Sequence, residues 1–230
     1  MSEVIVDSEA LITLVGGGQA TVQALQEALT LAPICVAADG GAQLALAAGV
    51  ELTALIGDFD SVSDAARNVV PATRQHHIPE QMSTDFEKAL LRIRAPVVLG
   101  VGFLGGRIDH QLAAFHALMV FARQPCVLLG EQEIVFLAPP DLSIPTQAGD
   151  LVSLFPLGRA RGHSEGLEWP ITGLEFRQGY KIGTSNRATG PMRLTMETPN
   201  MLTILPRRLV RPVVAQLSAP HCARWPVRPE

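Results

Sequence analysis

Leu52-Thr53-Ala54-Leu55-Ile56-Gly57-Asp58-Phe59-Asp60-Ser61 is a short, mostly apolar run stopped by glycine and followed by two carboxylates one residue apart. A run of this length ending at a turn signal reads as a buried strand. In open α/β sheets, ligands collect outside the carboxyl ends of the strands. Two anionic groups crowded there repel each other unless a cation lies between them. Taken alone, the segment reads equally well as a polar turn, because Asp and Ser favour turns. The surrounding chain decides between the two.

The same rhythm continues on both sides of this stretch. Leu11–Val15 reads as a strand, followed by Gly16-Gly17-Gly18 and a helical stretch over Thr21–Leu29. Ile34–Ala38 is a second strand, with a helix from Ala42 to Ala48, and Arg74–Ile78 is a short strand after the opening one. Thr84-Asp85-Phe86-Glu87 is a capping box, opening a helix whose apolar positions Phe86, Ala89, Leu90 and Ile93 recur at helical spacing. Pro96–Val101 is a fifth strand and Ile108–Ala122 a long helix. Strands alternating with helices predict an α/β domain over residues 1–140, a mostly parallel sheet with helices on both faces.

From about residue 126 the pattern changes. Cys126–Leu129, Ile134–Leu137, Leu151–Leu157, Tyr180–Gly183, Met192–Thr198 and Met201–Leu205 are short β-like runs separated by Gly, Pro, Asn and Ser. They predict an antiparallel domain over 141–205, sandwich or barrel, with the boundary between Pro139 and Gly149. The stretch 206–230 is rich in Pro and Arg with weak periodicity and reads as an extended or loosely docked extension.

Composition narrows the function classes. A chain of 230 residues with 47% hydrophobic and 17% charged residues is a packed globular protein rather than a disordered one. Its net charge of −4 gives no electrostatic case for nucleic acid as a partner. No apolar run is long enough to span a membrane, and the first residues lack the pattern of a signal peptide, so a cytoplasmic protein is expected. Cys35, Cys126 and Cys222 are too few and too far apart for a disulfide framework or a zinc site, and read as buried thiols.

Polar groups gather where the strands end. Gly16–Gly18 follows the first strand, Asp39-Gly40-Gly41 the second, and Asp58 with Asp60 the third. Gln81, Thr84, Asp85 and Lys88 open the capped helix, and Gly105-Gly106-Arg107-Ile108-Asp109-His110 follows the fifth strand. Each has a plain structural reading. Asp85 suits the first turn of a helix, Lys88 can pair with it, and Arg107 with Asp109 can be a surface ion pair. The glycine turn is neither a full dinucleotide fingerprint nor a P-loop. In a parallel sheet, however, all of them share one edge. There Asp58, Asp60, Asp85 and Asp109, with Asp39, are suited to Mg²⁺, and Lys88 and Arg107 to phosphate oxygens. That is a parts list for phosphoryl-type transfer.

These motifs, in this order, resemble the thiamine pyrophosphokinase family. The match runs through Asp39-Gly40-Gly41-Ala42, Gly57–Ser61, Thr84-Asp85-Phe86 with Lys88-Ala89-Leu90, and Gly105–His110. It continues in Ser153–Leu157, Gly166-Leu167-Glu168-Trp169-Pro170 and Thr184-Ser185-Asn186. The resemblance implies a Rossmann-like α/β domain followed by a β-sandwich, assembled as a homodimer with active sites between subunits. It implies transfer of pyrophosphate from ATP to the hydroxyl of thiamine, with Mg²⁺. Asp58, Asp60 and Asp85 would hold the metal. Asp39, Gly40, Gln81, Thr84, Lys88, Arg107 and Asp109 would shape the ATP and phosphate site. Thr184, Ser185 and Asn186 would lie near thiamine. Met82 stands where relatives often carry an acid, and Thr203 where some carry a tryptophan.

Two other readings remain open on the residues. Asp58-Phe59-Asp60-Ser61-Val62 also fits a haloacid-dehalogenase-type phosphatase with Asp58 as nucleophile. Asp39, about 20 residues after Gly18, also fits the ribose-binding acid of a non-catalytic dinucleotide module.

Overall fold

A computed structural model describes residues 3–226. The fold is mixed α/β and divides into two compact units. One runs up to Ala117 and takes in Leu128–Gly130; the other holds Leu118–Val127 and continues from Glu131. The division falls ahead of the boundary expected between Pro139 and Gly149. Among the described residues, no helix is long and apolar enough to cross a membrane.

The first unit opens with β1 (Val6–Asp7), then β2 (Ile12–Val15), α1 (Val22–Leu29), β3 (Ile34–Ala38), α2 (Ala42–Ala47), β4 (Ala54–Gly57) and α3 (Asp64–Val69). It continues through β5 (Gln75–His77), α4 (Asp85–Leu90), β6 (Ile93–Arg94), β7 (Val98–Val101) and α5 (Ile108–Val120). Strands β5, β4, β3, β2 and β7 lie side by side in that order, each pair parallel. β1 and β6 form a separate parallel pair. β2, β4 and β7 are buried at every position, as continuous apolar runs in parallel sheets are. Thr21 caps α1 through its hydroxyl, which accepts from the Ala24 amide.

Strand order reverses at β2. The chain steps outward through β3, β4 and β5, then returns to place β7 on the other side of β2. The carboxyl ends of β2 and β7 are therefore the switch point, where α/β sheets bind ligands. Helix α3 is absent from the sequence reading. It is capped by Ser63, but only Ala66 is buried, so it carries almost no apolar periodicity.

β8 (Cys126–Leu129) crosses the division. The second unit then holds β9 (Glu133–Leu137), β10 (Asp141–Ile144), β11 (Leu151–Pro156), β12 (Gly162–Leu167), β13 (Gly183–Met196) and β14 (Met201–Pro206), followed by α6 (Val210–Ser218). Its pairings are antiparallel: β9 with β14, β14 with β11, and β11 with the first part of β13. The second part of β13 takes β10 on one side and β12 on the other. The sequence suggests two separate runs here, Tyr180–Gly183 and Met192–Thr198, with Gly, Pro, Asn and Ser between them. One strand continues through instead: Asn186 and Ala188 before Gly190, and Met192, Leu194 and Met196 after it, are buried in the same alternating phase. Pro191 sits where β13 leaves β11 and takes up β10 and β12, where it breaks no ladder bond.

The stretch after Pro206, expected to be extended, is a docked helix. Leu209, Val213, Val214 and Leu217 fall at helical spacing and are buried. Pro212 is tolerated because the first helical turn has no intrahelical use for its missing N–H. The Trp225 indole then donates to the Ala138 carbonyl at 2.8 Å. All three cysteines are free and buried. Leu217→Ala, at a position 2% exposed, is expected to cost about 3 kcal/mol and lower the melting temperature in a calorimetric scan. An unchanged melting temperature would mean the helix is loosely held.

Candidate active site

The site grows out of strand register. β3 and β4 pair in parallel with Ala38 beside Ile56, so Asp39 and Gly57, one step beyond, are neighbours. Asp39 is 1% exposed, and its carboxylate accepts the Phe59 amide at 2.8 Å and the Ser61 amide at 3.0 Å. Between the two aspartates Phe59 has φ of 66°, a left-handed backbone uncommon for a bulky residue. Its ring lies 5.3 Å from His77, with the Arg67 guanidinium 5.1 Å from its centre.

Helix α4 supplies the cation. Lys88 is 2% exposed, and its Nζ donates to Asp58 Oδ2 at 2.6 Å and Asp85 Oδ1 at 3.3 Å. Gln81 Nε2 donates to the same Asp58 oxygen at 3.0 Å. The helix is fixed by the capping box of Thr84 and Glu87, and by Phe86, whose ring lies 4.4 Å from that of Phe103. Glu80, missed in the sequence reading, accepts the Met82 and Ser83 amides and shapes the turn before α4. The signal was Glu80 three residues before Ser83, an Asx-like local bond one methylene longer.

Charge is unevenly stabilised across these groups. The Lys88 hydrogen bond holds the Asp58 carboxyl below its ordinary range, outweighing burial. Burial, and then the field of neighbouring acids, raises Asp85; burial raises Asp39 despite its two amide partners. Burial opposes the Lys88 charge, but its two carboxylate partners outweigh it and hold it protonated.

One carboxylate oxygen from each of Asp39, Asp58 and Asp60 lies within 4.8 Å of the others. Three hard oxygen donors at this separation fit a small divalent cation such as Mg²⁺. The grouping differs from the expected Asp58, Asp60 and Asp85: Asp39 joins the first two, and Asp85 is tied to Lys88. Thr84 serves as the helix cap. Met82 is exposed and offers no ligand.

Arg107 lies at the switch point, on the loop that follows β7, and Asp109 on the first turn of α5. They pair with each other at 2.5 Å with both side chains exposed, and the Arg107 hydrogen bond pulls the Asp109 carboxyl down to about 2. Gly105 and Gly106, at φ of 79° and 70°, shape this turn beside Gln19. The Gly16–Gly18 turn is stitched to it, with the Gly18 amide donating to the Gly102 carbonyl at 3.0 Å. Gly17 meets Gly40 backbone to backbone, so the ends of β2 and β3 approach closely.

The remaining expected residues lie in the second unit. Thr184 and Ser185 are exposed, Ser185 at φ of 63° with its amide donating to the Ser153 hydroxyl. Asn186 is buried, and its amide side chain accepts from the Trp169 amide and donates to the Trp169 carbonyl. Its hydrogen bonds thus hold the exposed Trp169 segment. Thr203 is fully buried on β14.

Two family models match the chain in order: the thiamin pyrophosphokinase catalytic domain over residues 25–128 and the thiamin pyrophosphokinase vitamin B1 binding domain over 141–201. The chain belongs to the thiamin pyrophosphokinase family. It is 29% identical over 152 residues to thiamine pyrophosphokinase 2 of Oryza sativa subsp. japonica, covering 56% of each chain. It is 30% identical over 123 residues to thiamine pyrophosphokinase 1 of Arabidopsis thaliana, covering 46% of each. It thus spans about half the length of the plant relatives it matches. The fold is shared with thiamin pyrophosphokinase from Candida albicans (TM-score 0.73, 14% identity, 89% of this chain and 93% of that one). It is shared also with the Geobacillus thermodenitrificans family member (TM-score 0.70, 22% identity, 85% and 96%).

Replacing Lys88 by Met leaves Asp58 in a mostly buried place without its cation, and is expected to cost about 3 kcal/mol. The Asp58 carboxyl is depressed by folding, so its share of this stability is present above about pH 3.9 and lost as pH falls through its folded value. The Lys88 ammonium is raised, so its share is present below about pH 10.4 and lost as pH rises through its folded value. Urea midpoints of the two proteins should therefore differ by a constant amount between those limits and converge outside them.

Proposed function

We propose that this chain transfers pyrophosphate from ATP to the hydroxyl of thiamine, releasing thiamine diphosphate and AMP. The observation that carries this reading is the cluster of Asp39, Asp58 and Asp60 beside the buried Lys88, at the strand ends of a chain matched by both family domains. In this reaction the thiamine hydroxyl oxygen bonds the β-phosphorus, its proton is lost, and the bridge to the α-phosphorus breaks so that AMP leaves. Such transfer depends on positioning and on neutralising phosphate charge.

Asp39, Asp58 and Asp60 are the residues suited to hold Mg²⁺, which when bound would offset the charge of the triphosphate. Lys88 keeps Asp58 ionised and aimed, Gln81 supports the same oxygen, and Asp85 steadies Lys88 from the other side. Arg107 is the bidentate phosphate clamp. Its exposed pair with Asp109 is worth little and is readily exchanged for phosphate oxygens. Gly40 and the glycine turns at the switch point let the nucleotide approach the backbone, and Thr84 fixes the helix that carries Lys88. Thr184 and Ser185 face thiamine, and Asn186 acts by holding the Trp169 segment. We read the first unit as a Rossmann-like nucleotide domain and the second as a β-sandwich. The enzyme is a cytoplasmic homodimer with active sites between subunits.

The two rival readings lose their footing. The phosphatase motif is expected after the first strand of its sheet, whereas Asp58 follows β4 and the second unit pairs antiparallel in the ladders of β9, β14, β11 and β13. The dinucleotide module needs a full glycine fingerprint after its first strand, and Thr21 stands where the last glycine would be.

Incubation with ATP, Mg²⁺ and thiamine should yield AMP and thiamine diphosphate in equal amounts by chromatography. ADP with thiamine monophosphate would overturn the proposal. Asp58→Asn and Asp85→Asn should each lower turnover by roughly a hundredfold, on the scale of losing one fixed electrostatic group, with the far-ultraviolet circular dichroism spectrum unchanged. Arg107→Lys should lose about tenfold, because a point charge cannot reproduce two parallel bonds.

A further inference from the structure

We infer that Asp39 is a positioning residue: its carboxylate, braced against Gly57, holds the Phe59 and Ser61 amides and so turns Asp58 and Asp60 toward one point. The inference rests on the reading of Asp58 and Asp60 as the cation-holding acids.

Asp39 spends its hydrogen bonds on the loop. Its two oxygens accept one amide each, on either side of Asp60. It is itself at φ of 42°, a conformation a short polar side chain tolerates better than most. The left-handed backbone at Phe59 lies between the carboxylates it organises. In an extended segment, successive side chains alternate sides, and residues two apart share a side with about two residues' rise between them. The turn at Phe59 shortens that separation, so that Asp58 and Asp60 oxygens come within 4.8 Å. Such a turn costs energy in a residue with a side chain, and persists only where neighbours over-determine it. Two hydrogen bonds to a charged acceptor supply that constraint.

Gly57 is the other half of the device. A Cβ there would stand 2.8 Å from the Asp39 Cβ and 2.9 Å from its Oδ1. No side chain fits at residue 57 while the Asp39 carboxylate stays against the loop. The glycine in Gly57-Asp58-Phe59-Asp60 is thus required by Asp39, eighteen residues away in sequence.

The test uses the full chain, ¹⁵N-labelled and metal-free, with Mn²⁺ alone as the probe. In the unaltered protein the Phe59 and Ser61 amide protons should resonate downfield, as amides bonded to carboxylate do. In Asp39→Asn, of nearly the same shape, at least one should move upfield, and the Mn²⁺ dissociation constant measured by electron paramagnetic resonance should rise about tenfold. Gly57→Ala keeps every charge and every carboxylate, and should show the same two changes. Melting temperatures confirm that both variants are folded. Weakened Mn²⁺ binding in Asp39→Asn with unmoved amides would make Asp39 a ligand only and overturn the inference, as would Mn²⁺ binding in Gly57→Ala as tight as in the unaltered protein. An unaltered protein that binds no Mn²⁺ would instead overturn the cation reading beneath it.

Discussion

The ammonium of Lys88, taken out of water between Asp58 and Asp85, is the interaction around which the strand ends are organised. A buried charge costs several kcal/mol unless it is paired and hydrogen-bonded, so its partners have little freedom to move. Meeting that condition ties α4 to the loop after β4. It also explains why α4 is secured so thoroughly, by a reciprocal cap at its start and by Phe86 against Phe103 on its buried side. With Lys88 on Asp58, that acid stays ionised beside two others. Burial raises the carboxyls of Asp39 and Asp85 above their ordinary range, and the field of the neighbouring acids adds to it.

The parallel sheet does the rest of the placing. Because β5, β4, β3, β2 and β7 all point the same way, the turns that follow them fall on one edge. The reversal of order at β2 puts the switch point at the glycine turns after β2 and β7, with Arg107 beside them. Acid cluster and arginine follow the carboxyl ends of different strands, and so share one edge without sharing a strand. In the second unit a single long strand does comparable work. β13 joins β11 to the pair β10 and β12, and carries Thr184, Ser185 and Asn186 on its first half.

Much of the fold was legible because burial on both faces leaves a plain mark. β2, β4 and β7 are buried, mostly apolar runs that stop at glycine. The box of Thr84 with Glu87 announced the start of α4, although Ile93, expected on that helix, begins β6. The failures have equally physical causes. β10 and β12 are short and half polar, as Asp141–Ile144 and Gly162–Leu167 must be when one face meets solvent. Gly190-Pro191 lies between two runs expected to be separate and is part of one continuous strand. Pro212 hides α6, although it sits in the one turn where proline does no harm. α3 has a cap but almost no buried face.

Residue order alone shows where most strands of the first unit end, that carboxylates, glycines, a lysine and an arginine gather at those ends, and which family carries them in this order. It could not say which acids act together. Asp39, Asp60, Asp85 and Asp109 are chemically alike, and each follows a strand or opens a helix. Local spacing already offers Asp85 to Lys88 and Asp109 to Arg107; the grouping of Asp39 with Asp58 and Asp60 is settled by the tertiary fold. The register of β3 on β4 brings Asp39 under the loop of Asp58 and Asp60, the helical period sets Asp85 against Lys88, and the turn after β7 leaves Asp109 to Arg107. Hydrogen bonds and ion pairs act over about 3 Å, and positions that close are decided by strand register and helix phase across twenty or more residues of chain.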